Sequence, residues 1–220
     1  RARTFKKGKY THDAGPTVIT APFLFNELFE LFNEKLEDHL DFIHLDPYYR
    51  FYFSEEDEIF DYRSSIEDTQ KEIKRFNEDD AEGYKNLLNE SREIYDVGFK
   101  KLVHRPFNTI FSMISQIPAL LRLKCYRTVW QMVCSHITHP LVRKAFSIHP
   151  LLIGGNPFTT TSIYALIHYL ERKWGVFFCM GGTGKIVSEL KKLMIDNNIK
   201  IKTNTDVKEL VLESNKIKKI

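Results

Sequence analysis

Two glycine turns are the stretches of this sequence best suited to chemistry. Gly181-Gly182-Thr183-Gly184-Lys185 opens a segment with helical periodicity, and the first backbone N–H groups of a helix lack partners while its dipole favours an anion. Such a turn could hold phosphate, or it could simply let two backbones pack. It is not a P-loop, which needs G-x-x-x-x-G-K-[ST]. Gly154-Gly155-Asn156-Pro157 lets backbone approach a partner closely, because glycine has no side chain and tolerates φ > 0. Other chemistries find no support. His136 and His139 lie three apart, with His149 and His168 further on, but no Asp or Glu occurs from Val97 to Leu170. No ligand spacing recurs, so no metal is expected. Cys125, Cys134 and Cys179 form no C-x-x-C pair and read as free thiols of a reducing compartment. No Ser/His/Asp arrangement can be assembled, and no catalytic residue is named.

The elements that must position these turns can be read from periodicity. Residues 3–11 form a strand with Lys6-Lys7-Gly8-Lys9 as its turn, and Asp13-Ala14-Gly15-Pro16 then bends the chain. Phe23, Leu24, Leu28, Leu31 and Phe32 make a helical stripe that ends near Asn33. Tyr48–Phe53 and Glu58–Tyr62 read as a hairpin across Ser54-Glu55-Glu56-Asp57. Ser64-x-x-Glu67 matches a capping box for a helix reaching about Phe76, and another helix follows from about Asp79 to Val103. Phe107, Ile110, Phe111, Ile114 and Ile117 repeat at helical spacing, Pro118 interrupts, and Leu120, Leu121 and Leu123 continue. These are core-facing helices, or an amphipathic element at a membrane interface, or both on different faces. Thr159, Thr160 and Thr161 are N-cap candidates for a helix carrying Ile163, Leu166, Ile167 and Leu170. Gly175–Phe178 is a short strand, the 181–185 turn opens a helix, and Ile199–Thr203, Val207–Leu212 and Lys216–Ile220 follow as strands. Strand, helix, strand is the pattern of an α/β sheet.

The chain's 220 residues are 43% hydrophobic and 28% charged, which is ordinary for one or two globular domains. A net charge of +3 does not argue for nucleic acid, and the basic residues are interleaved with aliphatics rather than set on a stacking platform. Charge is unevenly placed. The acid-free block carries Lys100, Lys101, Arg105, Arg122, Lys124, Arg127, Arg143 and Lys144, whereas Glu55 to Glu82 is densely acidic. A basic, apolar block suggests a face for an anionic membrane surface. No uninterrupted apolar run of about 18 residues is present, so a spanning helix is not expected.

Leu151 through Phe158 and Ser162-Ile163-Tyr164, continued by Glu171-Arg172-Lys173-Trp174-Gly175-Val176 and Gly181-Gly182-Thr183-Gly184, closely resemble the bacterial and fungal type of phytoene desaturase, a flavin-dependent family. Asp13-Ala14-Gly15-Pro16-Thr17-Val18-Ile19-Thr20 looks like the family's segment just after its dinucleotide-binding unit. Tyr48-Tyr49-Arg50, Phe76-Asn77 and Glu82-Gly83-Tyr84 continue the similarity in the same order. The resemblance spans essentially the whole chain.

It implies an α/β fold, part of a Rossmann-type FAD-binding domain joined to a substrate domain with a helical, membrane-facing portion. Residues 1–22 and 175–220 would belong to the FAD domain and 23–174 to the substrate domain, the G-x-G-x-x-G unit lying upstream of a chain that reads as a fragment. The resemblance places FAD against Arg1, Ala2, Arg3, Asp13, Gly15, Pro16, Thr17, Gly181, Gly182 and Val207, and a lipophilic isoprenoid substrate against Gly155, Asn156, Pro157 and Phe158. The family has a basic residue just before Gly181, where this chain has Met180. The implied activity is FAD-dependent desaturation of phytoene to more conjugated products, by an oxidoreductase peripherally bound to the cytoplasmic face of a membrane. The alternatives are a desaturase of a shorter isoprenoid such as diapophytoene, a flavin amine oxidase, and a non-catalytic lipid-binding module. The acid-free block argues against a protonated amine substrate. Oligomeric state is left open.

Overall fold

The computed structural model describes residues 2–98, 117–213 and 216–219. Arg1, the helical repeat from Phe107 to Ile114 and the continuation of the 79–103 helix beyond Gly98 lie outside the described residues.

The N-terminal hairpin pairs β1 (Arg3–Lys7) with β2 (Tyr10–Ala14) across Gly8-Lys9, where Gly8 takes φ +63. Helix α1 (Phe23–Glu30) follows, and the chain turns at Asn33 with φ +58. After a 3-10 turn at Leu36–Asp38, β3 (Phe42–His44) runs beside the later β6 (Phe177–Cys179). The aromatic segments form the expected hairpin, β4 (Tyr49–Phe53) against β5 (Glu58–Tyr62).

Helix α2 (Ile66–Lys74) starts one residue later than the Ser64 motif predicts. Ser65 has extended backbone and its side chain accepts from Asp68 N at 3.0 Å, so Ser65, not Ser64, is the cap. Ser64 is committed elsewhere, its N–H to Asp46 and its carbonyl to Arg172. Helix α3 (Asp80–Val97) is the long support of the fold. Beyond the undescribed segment come α4 (Ile117–Arg122), α5 (Val129–Cys134) with a capping box between Thr128 and Gln131, and α6 (Pro140–Phe146). The threonine run caps a 3-10 turn, Ser162–Ala165, with Thr161 as its N-cap, before α7 (Leu166–Trp174) begins. Helix α8 (Thr183–Asp196) follows β6.

The large core is drawn from Tyr48 to Val176. Its centre is aromatic: Tyr84 stacks on Phe146 at 5.0 Å, and Phe60 and Tyr62 meet Phe146 edge-on at 5.6 and 5.4 Å. Side chains of this size each stabilise the fold by roughly 1.5–3 kcal/mol on burial. A smaller core joins Ile19, Phe29 and Leu40 to Cys179, Ile186 and Leu193. Reciprocal bonds between Ile19 and Phe177, at 2.8 and 2.9 Å, tie the early chain to β6.

The architecture is mixed helix and strand, and the sheets among the described residues are antiparallel pairs. The expected strand at 199–203 is absent, and Val207 lies outside any strand. Only β7 (Val211–Glu213) and β8 (Lys216–Lys219) pair there, as a two-stranded hairpin. A strand needs a neighbour to hold its backbone bonds, and no described segment runs beside 199–207.

Candidate functional site

Three clusters gather the residues capable of chemistry. The first is the junction of the N-terminal hairpin with α8. Gly181 and Gly182 have φ +86 and +77, so both need the left-handed backbone that glycine allows. The α8 N-terminus is not open to an outside anion, because the Asp13 carboxylate fills it. Asp13 Oδ1 accepts from Thr183 N at 3.2 Å and Thr183 Oγ1 at 3.4 Å. A Cβ on Gly182 would collide with both Asp13 oxygens, and one on Gly184 would lie 2.7 Å from Thr4 Oγ1. Asp13 and Gly182, named separately from the sequence, therefore meet in one lock.

The other positions spread around this lock. Ala2 is half-buried, whereas Arg3, Gly15, Pro16 and Thr17 are exposed at the open end of the hairpin, next to the lock. Gly15, at φ +115, leaves a side-chain-free surface that a flat ring could approach. On the first turn of α8, by contrast, the Asp13 carboxylate already takes Thr183 N and Oγ1. Val207 is 65% exposed and stands apart from any described strand. Met180, in the place of a cation, is exposed.

The second cluster is the loop after α6. A 3-10 turn, His149–Ile153, ends at Gly154 in the left-handed conformation, and Gly155 N donates to Pro150 O at 2.8 Å. Gly155 has no room for a side chain, since a Cβ would sit 2.7 Å from Thr160 Oγ1. Asn156 Oδ1 accepts from Phe158 N at 2.9 Å, and Pro157 O from Trp130 N at 3.1 Å. Phe158 packs on Trp130 at 4.9 Å. Leu151, Leu152, Ile153 and Phe158 are 63, 46, 53 and 57% exposed. Close by in sequence contacts, Ile117, Leu120, Leu121, Cys125, Tyr126, Thr161 and Ile163 line an apolar hollow of about 380 Å³, and Thr161 Oγ1 is bonded to Cys125 O. Loop and hollow together offer apolar surface of the kind that holds a lipophilic molecule.

The third cluster is buried and was not foreseen. Glu171, without solvent contact, accepts from Tyr49 Oη at 2.7 Å and His149 Nε2 at 3.0 Å. His168 Nε2 donates to Phe146 O at 2.9 Å, and its ring stands 4.0 Å from that of His149. Burial pushes His168 well below the usual histidine range, aided by His149. Tyr49 is pushed far above an ordinary phenol by burial and by the Glu171 charge. Arg172 points the other way, into Tyr48, Tyr62 and Tyr84 at 5.1, 4.3 and 5.7 Å, donating to Tyr84 Oη, Arg63 O, Ser64 O and Thr69 Oγ1. The i, i+3 spacing of His168 and Glu171 on one helix face was the available signal.

The acid-free block is also less bare than its sequence reads. Its polar groups take carboxylates from its borders: Glu90 binds Arg127 and His136, Asp80 receives Thr138 N and His139 N, and Lys144 reaches Glu56 at 3.7 Å. Arg122 and Lys124 remain exposed. Among the described residues no helix is long and apolar enough to cross a membrane.

Over residues 1–219 the sequence matches the family described as flavin containing amine oxidoreductase, and the chain belongs to that family. Within it, the chain is 40% identical over its full length to "Phytoene desaturase (lycopene-forming)" of Pseudescherichia vulneris, covering 44% of that protein. It is 39% identical, again over its full length and 44% of the relative, to the protein of the same description from Pantoea ananas. To "Phytoene desaturase (neurosporene-forming)" of Rhodobacter capsulatus it is 27% identical, over 96% of this chain and 40% of that one. The chain thus spans less than half the length of these relatives.

Proposed function

We propose that this chain is part of an FAD-dependent oxidoreductase that desaturates a carotenoid precursor, with phytoene as the substrate. The observation that carries this reading is the unbroken 40% identity along all 220 residues to a lycopene-forming phytoene desaturase. The exposed apolar loop and hollow support a lipophilic substrate, and among the described residues that line the hollow no carboxylate is present to meet an amine.

In this reading residues 1–22 and 175–220 serve the FAD-binding domain and 23–174 the substrate domain. Support comes from the hairpin's packing on α8 and from a large core drawn from 48–176. Desaturation takes a hydride and a proton from neighbouring carbons: bound FAD would supply the hydride acceptor, the proton would pass to solvent, and this chain's residues would orient the polyene. Asp13 accepts from the first turn of α8 and sets the hairpin, and Gly15, Pro16 and Thr17 with Ala2 and Arg3 would contact FAD there; Arg1, outside the described residues, is assigned to the cofactor by the family resemblance alone. Gly181 and Gly182 act by letting the hairpin approach; Val207 would contribute from the return segment. Gly155, Asn156, Pro157 and Phe158 form the rigid wall against which the polyene lies. Exposed Leu151, Leu152, Arg122 and Lys124 suit a peripheral position on the cytoplasmic face of a membrane.

The test is expression of the protein that carries this chain in cells that accumulate phytoene, followed by pigment extraction. Coloured, red-shifted polyenes are the expected result, and flavin should be released from the purified protein on denaturation. Unchanged phytoene beside soluble, flavin-bound protein would overturn the substrate assignment.

A further inference from the structure

We infer that His149 and Glu171 are positioning residues for the 150–158 loop: a buried hydrogen-bonded clamp that aims an apolar loop at the substrate. This rests on the reading above, in which that loop is a wall of the polyene site.

The loop stands on two feet. One is made of backbone, with Val129 N and Trp130 N of α5 donating to Thr160 O at 2.9 Å and Pro157 O at 3.1 Å. The other is His149, the first residue of the 3-10 turn, whose Nε2 donates to Glu171 Oε2 at 3.0 Å. Between the feet Pro150 is buried and the turn closes on itself through Gly154 N to Leu151 O and Gly155 N to Pro150 O, while Leu151, Leu152 and Ile153 face solvent. Glu171 is itself fixed. Its second oxygen takes Tyr49 Oη from β4, and its carbonyl takes Tyr48 Oη at 3.3 Å. The clamp thus joins β4, α7 and the loop through one carboxylate.

A buried carboxylate loses its hydration, so an apolar pair of the same volume would hold the core at least as well. What the hydrogen-bonded pair adds is direction, since both Glu171 oxygens accept bonds along fixed lines. Direction matters here because the loop's backbone leaves no slack. Gly155 sits against Thr160 and Pro150, so a swing at His149 is passed on to Asn156, Pro157 and Phe158. The neighbouring His168 cannot replace His149, because its Nε2 is spent on Phe146 O, at the end of α6. Among the described residues Nδ1 of both rings is buried without a partner, which leaves the Nε2 bond to Glu171 as the polar tie of the His149 ring.

The experiment compares His149→Leu, which keeps volume and removes the donor, with His149→Gln, which keeps an N–H near the Nε2 position. Two readouts are taken on the full protein: hydrogen exchange of the 151–155 and 166–174 amides, and KM and kcat for phytoene presented in phospholipid vesicles. We expect His149→Leu to speed exchange at 151–155 by about tenfold while 166–174 is unchanged. KM should rise by about tenfold with kcat nearly constant, and His149→Gln should recover most of both. Tyr49→Phe, which removes the other donor to Glu171, should shift both readouts the same way by less. Unchanged exchange at 151–155, faster exchange everywhere, or looser exchange without a change in KM would each overturn the clamp. If the wild-type protein does not turn over phytoene, the substrate reading fails, and the exchange arm still decides whether His149 holds the loop.

Discussion

Single residues in this protein often carry a burden that their type alone does not reveal. Gly182 must be glycine twice over, for its φ of +77 and for the Asp13 carboxylate lying where a Cβ would go. Gly182→Ala is expected to destabilise the protein by about 2 kcal/mol or more and to loosen the N-terminal hairpin. Thermal unfolding and proteolysis between residues 2 and 15 would measure this, and an unchanged melting temperature would refute the lock. Asp61 offers a pH test. Two bonds from Arg50, at 2.7 and 2.8 Å, hold its carboxyl below the ordinary 3.8 against the upward push of burial, with Arg63 at 2.9 Å adding to the effect. A depressed folded pKa gives stability that is present above the unfolded value and lost as pH falls through the folded one. Asp61→Asn should therefore lower the melting temperature at pH 7, and the gap from wild type should close as pH drops below 3.8.

Elements are set by caps whose position is a matter of backbone angle more than of motif. Two serines stand before α2, and Ser64 fits the capping box by spacing. The chain is extended at Ser65, with φ −91 and ψ 151, so the second serine reaches back to the helix. Ser65→Ala should cost about 1 kcal/mol and Ser64→Ala almost nothing, because Ser64 serves through its backbone. Chemical denaturation of the two variants distinguishes the caps, and equal losses would count against the assignment. Much of the element plan was legible beforehand: β1 and its turn, the β4–β5 pair, α1 and α8 follow from alternation, stripes and glycine turns, whereas Asp13 and Ala14, read as a bend, are the last paired residues of β2. The strand at 199–203 was misread. Alternation there carries the strand signal, but pairing partners are supplied by other parts of a fold, not by the segment itself.

At the scale of the whole molecule, α7 is the hub. It points Glu171 to the 149–158 loop and Arg172 to α2, α3 and the β4–β5 hairpin. The Arg172 guanidinium lies over three tyrosines and spends its donors on two carbonyls and two hydroxyls, and burial with the Arg172 charge holds Tyr62 at about 12. Lysine has the charge without the planar fork. Arg172→Lys should cost about 3 kcal/mol, seen as a lower midpoint in thermal or urea unfolding. A loss below about 0.5 kcal/mol would show that the cage contributes shape alone.

The ordered motifs along the chain carried the resemblance to the family, and alternation, stripes and glycine turns gave most of the elements, because those signals are local: a turn needs its own glycine and a helix its own stripe. They also brought Asp13 and Gly182 onto one list of residues. That these two touch was decided by the packing of the hairpin on α8. The same holds for Glu171, invisible as a partner for His149 across 22 residues, and for Glu90 and Asp80, which supply carboxylates to a block that has none of its own. Pairing of charge across distant segments depends on which surfaces the cores press together, and only the folded chain specifies that.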